Sequence, residues 1–273
     1  MAVITDSEFK QLAEYIEKNY GIHLKDEKKT LVAGRLHNVL VEHNFKTFSE
    51  YYEYLVTDRT NEAVTTLLNK ITTNHTFFMR EVDHFNFLKD HVLPYLKDTI
   101  KEKDLRIWSA GCSSGQEPFT LAMIINDFFG KEKVWWDTKI LATDISDRVL
   151  EIARNAQYLN TDIATVPAVW KSSYFQAVDS EKSQIVNKLR EEVIFRKFNL
   201  MEKNFPFKKK FHVIFCRNVM IYFDNKTKDE LVNKFYEHLE PGGYLFIGHS
   251  ESLNRETTKF KYIMPAVYRK EIR

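Results

Sequence analysis

Residues 105–121, LRIWSAGCSSGQEPFTL, decide how the fold is read. Leu105, Ile107 and Trp108 form a short apolar run without helical spacing, as in a buried strand. Ala110 to Gly115, AGCSSG, holds no large side chain. Glu117-Pro118 then opens a second apolar run, Phe119 to Phe129, long enough for a helix, with Pro118 suited to its first turn. Strand, glycine turn and helix in that order are how an open α/β sheet binds a nucleotide-like ligand. The turn lies at the carboxyl end of the strand, and missing side chains let a ligand approach the backbone.

Downstream, strands alternate with helices, the pattern of a parallel sheet. The expected strands are Leu105–Ala110, Lys139–Asp144, Val193–Phe198, Phe211–Cys216 and Tyr244–Gly248. Two late segments, about Phe260–Pro265 and Ala266–Lys270, are joined tightly and read as a terminal antiparallel hairpin. The helix Leu150–Ala156 ought to lead straight into the third strand. Instead Gln157 to Glu192 intervene, too long for an ordinary connection. Tyr158, Trp170, Tyr174 and Phe175, then the alternating Gln184-Ile185-Val186-Asn187, mark this stretch as an inserted subdomain, about residues 157–192, beside the binding edge. The sheet domain as a whole is expected at 105–273.

Ahead of the sheet the chain reads as helices only. Thr5-Asp6-Ser7-Glu8 is a capping-box start, with Phe9, Leu12, Ala13 and Ile16 at helical spacing and Gly21 as the stop. A second helix is expected from about Asp26 to His43, with Leu31, Val32, Leu36, Val39 and Leu40 on one side. Thr47-Phe48-Ser49-Glu50 is another capping box, and Asn61 to about Thr72 carries a fourth helix. Residues 1–72 therefore form a small helical bundle, and 73–104 a linker with a lid helix over Glu81–Leu96. Within it Asn74–Arg80, NHTFFMR, has two readings. It is either a loop tucked under the bundle or a lid carrying Asn, Thr and Arg over the sheet's binding edge.

The 40 basic residues against 38 acidic ones leave a net charge of +2, which gives no argument for nucleic-acid binding. No run reaches the roughly 18 apolar residues of a spanning helix. The N-terminus, MAVITDSEFKQL, lacks the basic start and apolar core of a signal peptide. Two cysteines exclude a disulfide scaffold and fit a reducing, cytoplasmic setting.

Asp144 ends the second strand, ILATD. An acid there accepts hydrogen bonds from ribose hydroxyls in adenosine-cofactor folds, or else caps the next helix. The GxGxxG fingerprint is absent, and Glu117 sits where a diphosphate would be repelled. An acid at that place suits a cationic or neutral adenosine cofactor, pointing from NAD toward S-adenosylmethionine. Arg217-Asn218 leaves the fourth strand as polar groups at the carboxyl edge, ahead of the apolar loop Met220-Ile221-Tyr222-Phe223. Cys112 and Cys216 follow strands that are neighbours in a 3-2-1-4-5 order, so they are either a regulatory pair or two packed thiols. No His/Cys/Asp cluster has metal-ligand spacing, so no metal is expected. His249-Ser250-Glu251 is triad-like in one dimension only, since adjacent strand residues face opposite ways.

These motifs resemble one family: the bacterial chemotaxis receptor methyltransferases of the CheR type. The matching stretches are TNHTFFMRE at 73–81, RIWSAGCSSGQEPFTLAM at 106–123, ILATDIS at 140–146, FNL at 198–200, IFCRNVMIYFD at 214–224 and GGYLFIGHSE at 242–251. The resemblance covers nearly the whole chain. It implies a Rossmann-like α/β methyltransferase sheet, mostly parallel, with a small N-terminal all-helical domain. It implies transfer of a methyl group from S-adenosylmethionine to receptor glutamates, leaving S-adenosylhomocysteine.

Carried over by motif, the cofactor site takes Asn74, Thr76, Arg80, Gly111, Glu117, Asp144, Asn199, Leu200, Arg217 and Asn218, and the resemblance favours the lid reading of 74–80. Arg80 and Tyr222 become the catalytic candidates, orienting the incoming carboxylate. The family further implies a receptor contact through a basic face of the N-terminal helices, here Lys25, Lys28, Lys29 and Arg35. Some members tether to a receptor tail through a glycine-containing turn of the insertion. YFQAVDSEKSQIVNKL has no glycine, which argues against tethering here. The partners expected are cytoplasmic domains of membrane chemoreceptors, met by a monomer that does not itself enter the membrane. The alternatives are a non-catalytic S-adenosylmethionine-sensing or scaffold module, and a methyltransferase for another protein.

Overall fold

The computed structural model describes residues 3–72 and 75–272. Contacts divide the chain into two compact units. One takes the residues up to His75 together with Tyr222–Thr227, and the other takes Thr76–Ile221 and Lys228–Arg273.

The first unit is built on α1 (Asp6–Tyr20), α2 (Lys29–Glu42), α3 (Phe48–Thr57) and α4 (Glu62–Ile71). At α1 both halves of the capping box form, and Gly21 stops the helix at φ 71°. At α3 only half does. Thr47 accepts the Glu50 N–H, while the Glu50 carboxylate takes the Lys46 N–H instead. A single 3₁₀ turn, Asp26–Lys28, precedes α2. Leu31, expected on the apolar side, lies in the first turn of α2 and is exposed. Phe9, Leu12, Ile16, Leu36, Leu40, Tyr51, Leu55 and Leu67 are buried. The unit also recruits a distant segment: Ile22 bridges Phe223, and the His23 N–H donates to the Tyr222 carbonyl at 2.8 Å.

The second unit opens with α5 (Val82–Phe87), a π turn over Leu88–Val92, and α6 (Leu93–Thr99). Pro94, early in α6, has no N–H to donate back to the preceding turn. Phe78, Phe85, Leu88, Val92, Leu93 and Leu96 all enter the core of this unit. There follow β1 (Ile107–Ala110), α7 (Gln116–Phe129), β2 (Ile140–Asp144), α8 (Asp147–Asn155), β3 (Gln157–Leu159), α9 (Ala168–Tyr174), β4 (Phe175–Ala177), β5 (Lys182–Ile185) and α10 (Asn187–Arg190). Then come β6 (Val193–Lys197), β7 (Phe211–Cys216), α11 (Asn225–His238), β8 (Leu239–Ile247), β9 (Lys261–Met264) and β10 (Val267–Arg269).

The large sheet has seven strands in the order β6-β2-β1-β7-β8-β10-β9. Its first five are parallel, and β10 closes on β8 and β9 antiparallel. Counting only these strands, the order is 3-2-1-4-5 with the expected terminal hairpin at the edge. The insertion forms its own three-stranded sheet, β3-β5-β4. Under β1, Trp108 is fully buried among Phe198, Phe205, Phe207, Phe211 and Phe235, and its indole N–H donates to Thr143 Oγ1 at 2.9 Å. This aromatic block fixes β1 and β2 side by side, so the turns after both strands share one edge.

Candidate functional site

The turn after β1 is held by backbone geometry. The Gly111 and Cys112 N–H groups both donate to the Thr143 carbonyl, at 2.8 and 2.9 Å. Gly111 has φ 86°, and a Cβ on it would stand 2.4 Å from Val219 Cγ2. Gly115, at φ 95°, faces Ala153 and the Tyr158 hydroxyl in the same way. At these two positions the missing side chain makes room for the protein's own packing. The insertion reaches the turn as well, since the Tyr158 hydroxyl donates to the Ser114 carbonyl at 2.7 Å.

Asp144, at the end of β2, stands over this turn. Its Oδ2 accepts the Ser113 N–H at 2.9 Å and its Oδ1 the Ser146 N–H at 3.0 Å. The cap of α8 is Ser146, whose side chain accepts the Val149 N–H, so the helix-cap reading of Asp144 does not hold. Burial pushes the Asp144 carboxyl up, and the backbone N–H groups of Ser146 and Ser113 oppose it.

A second constellation centres on Arg217, at the end of β7. Its side chain is 2 % exposed. Its Nη1 donates to Glu117 Oε2 at 3.1 Å, its Nη2 and Nε to Glu81 Oε2 at 3.2 and 3.3 Å, and its Nη2 also to the Arg80 carbonyl. The guanidinium lies 5.1 Å over the Phe85 ring. Glu117 is completed by the Ser109 hydroxyl at 2.7 Å. Burial pushes Glu117 up, opposed first by the charge of Arg217. At Glu81 burial works in the same direction, but Arg217 and the His249 N–H outweigh it and hold the carboxyl below its usual range.

Asn218 follows at φ 58°, a left-handed conformation that asparagine tolerates. Glu251 fixes it. Its Oε2 accepts the Asn218 and Gly248 N–H groups at 3.0 and 2.6 Å, and its Oε1 the Ile221 N–H at 3.1 Å. Sequence reading missed this residue. It stands in the loop past β8, within the HSE stretch that sequence spacing marks only as triad-like in one dimension. Gly248 is required beside it, because a Cβ there would meet Asn218 Nδ2 at 2.5 Å.

The stretch before α5 is anchored by one phenylalanine. Phe78 is fully buried, edge-on to Tyr158 and Phe175 at 4.9 and 5.6 Å, while Phe77 is exposed and takes the Arg80 guanidinium 6.0 Å over its ring. Met79 and Glu81 both adopt positive φ. Thr76 and Arg80 thus belong to the sheet unit and are half-buried. Asn74 lies outside the described residues. Asn199 turns the chain after β6, its Oδ1 accepting the Met201 N–H at 2.9 Å, and the buried Leu200 offers its carbonyl to Lys234 at 3.5 Å. Tyr222 groups with the helical unit. Cys112 and Cys216 are buried free thiols that burial keeps protonated.

Of the basic residues on the helical unit, Lys25 and Lys28 are exposed. Lys29 pairs with Asp6, and Arg35 donates to the Lys70 and Ile71 carbonyls at 3.2 and 3.0 Å, closing the C-terminus of α4.

The carboxyl edge therefore presents Asp144 and Glu117, with its buried cation already committed to two carboxylates. Hydroxyl and ammonium donors suit such a set, and a diphosphate does not. An adenosine cofactor carrying an amino acid fits these residues.

Comparison with known proteins agrees. Residues 7–72 match the family description "CheR methyltransferase, all-alpha domain", and residues 74–268 match "CheR methyltransferase, SAM binding domain". The chain is 44% identical over 270 residues to a chemotaxis protein methyltransferase of Borreliella burgdorferi, covering 98% of this chain and 95% of that one. It is 38% identical to a probable chemotaxis protein methyltransferase of Rhizobium etli, with 88% and 91% covered. It is 33% identical to the chemotaxis protein methyltransferase of Escherichia coli, with 97% and 91% covered.

Proposed function

The chain belongs to the CheR methyltransferase family, and from that premise we propose that it transfers a methyl group from S-adenosylmethionine to glutamate side chains of chemotaxis receptors. The products are glutamate methyl esters and S-adenosylhomocysteine. The observation that carries this reading is the match of both parts of the chain, the helical residues 7–72 and the cofactor-binding residues 74–268. A binding module without turnover has no comparable support.

The cofactor supplies the activated methyl group on a sulfonium leaving group. Asp144 accepts the ribose hydroxyls, and its two bonds to backbone N–H groups set the orientation of the carboxylate beforehand. Glu117, held by Arg217, gives the amino-acid end a carboxylate for its ammonium, with Thr76, Gly111, Asn199, Leu200 and Asn218 completing the pocket. The substrate glutamate is ionised at neutral pH and needs no general base. Arg80 orients that carboxylate without neutralising it, so the protein's contribution is alignment and exclusion of water.

Lys25 and Lys28 are the receptor-facing cations with free reach. Lys29 and Arg35 serve the same face less, because Asp6 and the end of α4 hold them. No helix among the described residues is long and apolar enough to cross a membrane. The partners of this reading are the cytoplasmic domains of chemoreceptors, met by a cytoplasmic monomer. The insertion's turn lacks glycine, so the enzyme acts without tail tethering. Calorimetric binding of a receptor-tail peptide at micromolar strength would overturn that point.

The test of the whole reading is incubation with radiolabelled S-adenosylmethionine and receptor-bearing membranes. Label in the receptor band is the expected result. Cofactor binding without any transfer would support the scaffold reading instead.

A further inference from the structure

We propose that Glu81, His84 and His249 form a binding site for one divalent transition-metal ion of the zinc class, and that its occupancy slows methyl transfer. Glu81-Val82-Asp83-His84 has Glu-x-x-His spacing, which sets both side chains on one face of a helix start. His249 comes from the end of β8, too far along the chain for any spacing rule to find. The fold gathers one donor atom from each residue within 4.8 Å of the others.

Three observations point to a metal. First, His84 is 0 % exposed, and neither ring nitrogen has a hydrogen-bond partner. A buried imidazole with both nitrogens unsatisfied is costly unless something uses them.

Second, His84 Nδ1 and Glu81 Oε2 are 3.4 Å apart. Two ligands bound at about 2.0–2.1 Å with a tetrahedral angle between them lie about 3.3–3.4 Å apart. This pair is already at the bite distance. The His249 ring stands edge-to-face with that of His84, centroids 4.5 Å apart, and is exposed, so it can swing to the third position and leave the fourth to water.

Third, the obvious opponent has somewhere to go. Arg217 shares Glu81 Oε2, and a dication there displaces it. Its Nη1 is already on Glu117, so the guanidinium keeps a carboxylate partner when Glu81 is taken. Glu81 also accepts from Asn218 Nδ2 at 3.4 Å. Metal binding therefore loosens both residues of the Arg217-Asn218 pair, which is why occupancy slows transfer. That consequence rests on the function proposed above. The site itself does not.

The test titrates full-length, metal-free protein with Co²⁺ and then Zn²⁺, without cofactor. One equivalent of Co²⁺ giving the intense visible absorption of a tetrahedral site, displaced by Zn²⁺, is the expected result. His249→Gln, at an exposed position, and His84→Asn each weaken binding by more than about tenfold. Absence of a tetrahedral spectrum, or His249→Gln binding as tightly as wild type, overturns the site. In the transfer assay, stoichiometric Zn²⁺ inhibits wild type and spares His249→Gln. A wild type that binds Zn²⁺ and transfers at full rate overturns the inhibitory role. Absence of transfer in metal-free protein counts against the proposed function and leaves the binding result standing.

Discussion

Arg217 neutralises Glu81 and Glu117 together in a place where water scarcely reaches its side chain. Arg217→Ala leaves two partly buried carboxylates facing an empty volume. Removing one member of a buried ion pair typically costs about 3–5 kcal/mol, so urea denaturation of this variant is expected to show a loss of that order. A loss near zero would mean that the carboxylates find water. Asp144→Ala tests the cofactor side: it is expected to weaken S-adenosylmethionine by about 1–3 kcal/mol in calorimetry, the cost of a lost buried hydrogen bond. Asp144, Arg217 and Asn218 were legible in the sequence because each is polar at the end of an apolar strand, where packing gives no reason for it. Glu81 and Glu251 were not. Glu81 follows Arg80 as an ordinary helix-start acid would, and Glu251 sits in a loop. Their roles depend on where distant N–H groups and Arg217 point, which no local pattern encodes.

At the scale of elements, the strand–turn–helix motif was read correctly, and the structure adds a packing demand on its glycines. Gly111 spares Val219 a clash, and that clash is three-dimensional. Gly111→Ala combines an unfavourable φ of 86° with a Cβ placed 2.4 Å from Val219. It is expected to destabilise the protein by more than about 1 kcal/mol and to disturb the Asp144 side of the pocket. A thermal melt and a cofactor titration matching wild type would contradict this. Strand order was predictable because five strands alternate with helices and right-handed crossovers leave few arrangements. The recruitment of Tyr222–Thr227 by the helical unit was not, since it shows in contacts between distant segments, such as the bridge from Ile22 to Phe223 and the His23 N–H on the Tyr222 carbonyl.

At the scale of the whole molecule, buried titratable groups set how stability follows pH. Burial holds His84 and His212 at about 4, helped by Arg217 at the first and Arg106 at the second. An unfolded histidine takes its proton near pH 6.5. Between about pH 6.5 and 4 the unfolded chain therefore binds protons that these rings refuse when folded, and stability falls as pH falls through that window. Each ring contributes at most about 3 kcal/mol. Asp144, Glu117 and Glu251, whose carboxyls burial raises, act with the opposite sign and soften the slope. His212→Asn keeps an acceptor for the Arg106 N–H, which His212 Nδ1 takes at 3.1 Å, and removes one titration. Its stability is expected to vary less across the window than that of wild type. Equal slopes would show that His212 is not held neutral.

The central claim concerns the chemistry of the product, and alkali decides it most directly. Receptor labelled from S-adenosylmethionine carrying a radioactive methyl group is purified and treated with mild base. A carboxylate methyl ester hydrolyses, so release of the label as volatile methanol is the expected result. Label that stays on the receptor after base, as a methyl on nitrogen or sulfur would, contradicts glutamate methylation.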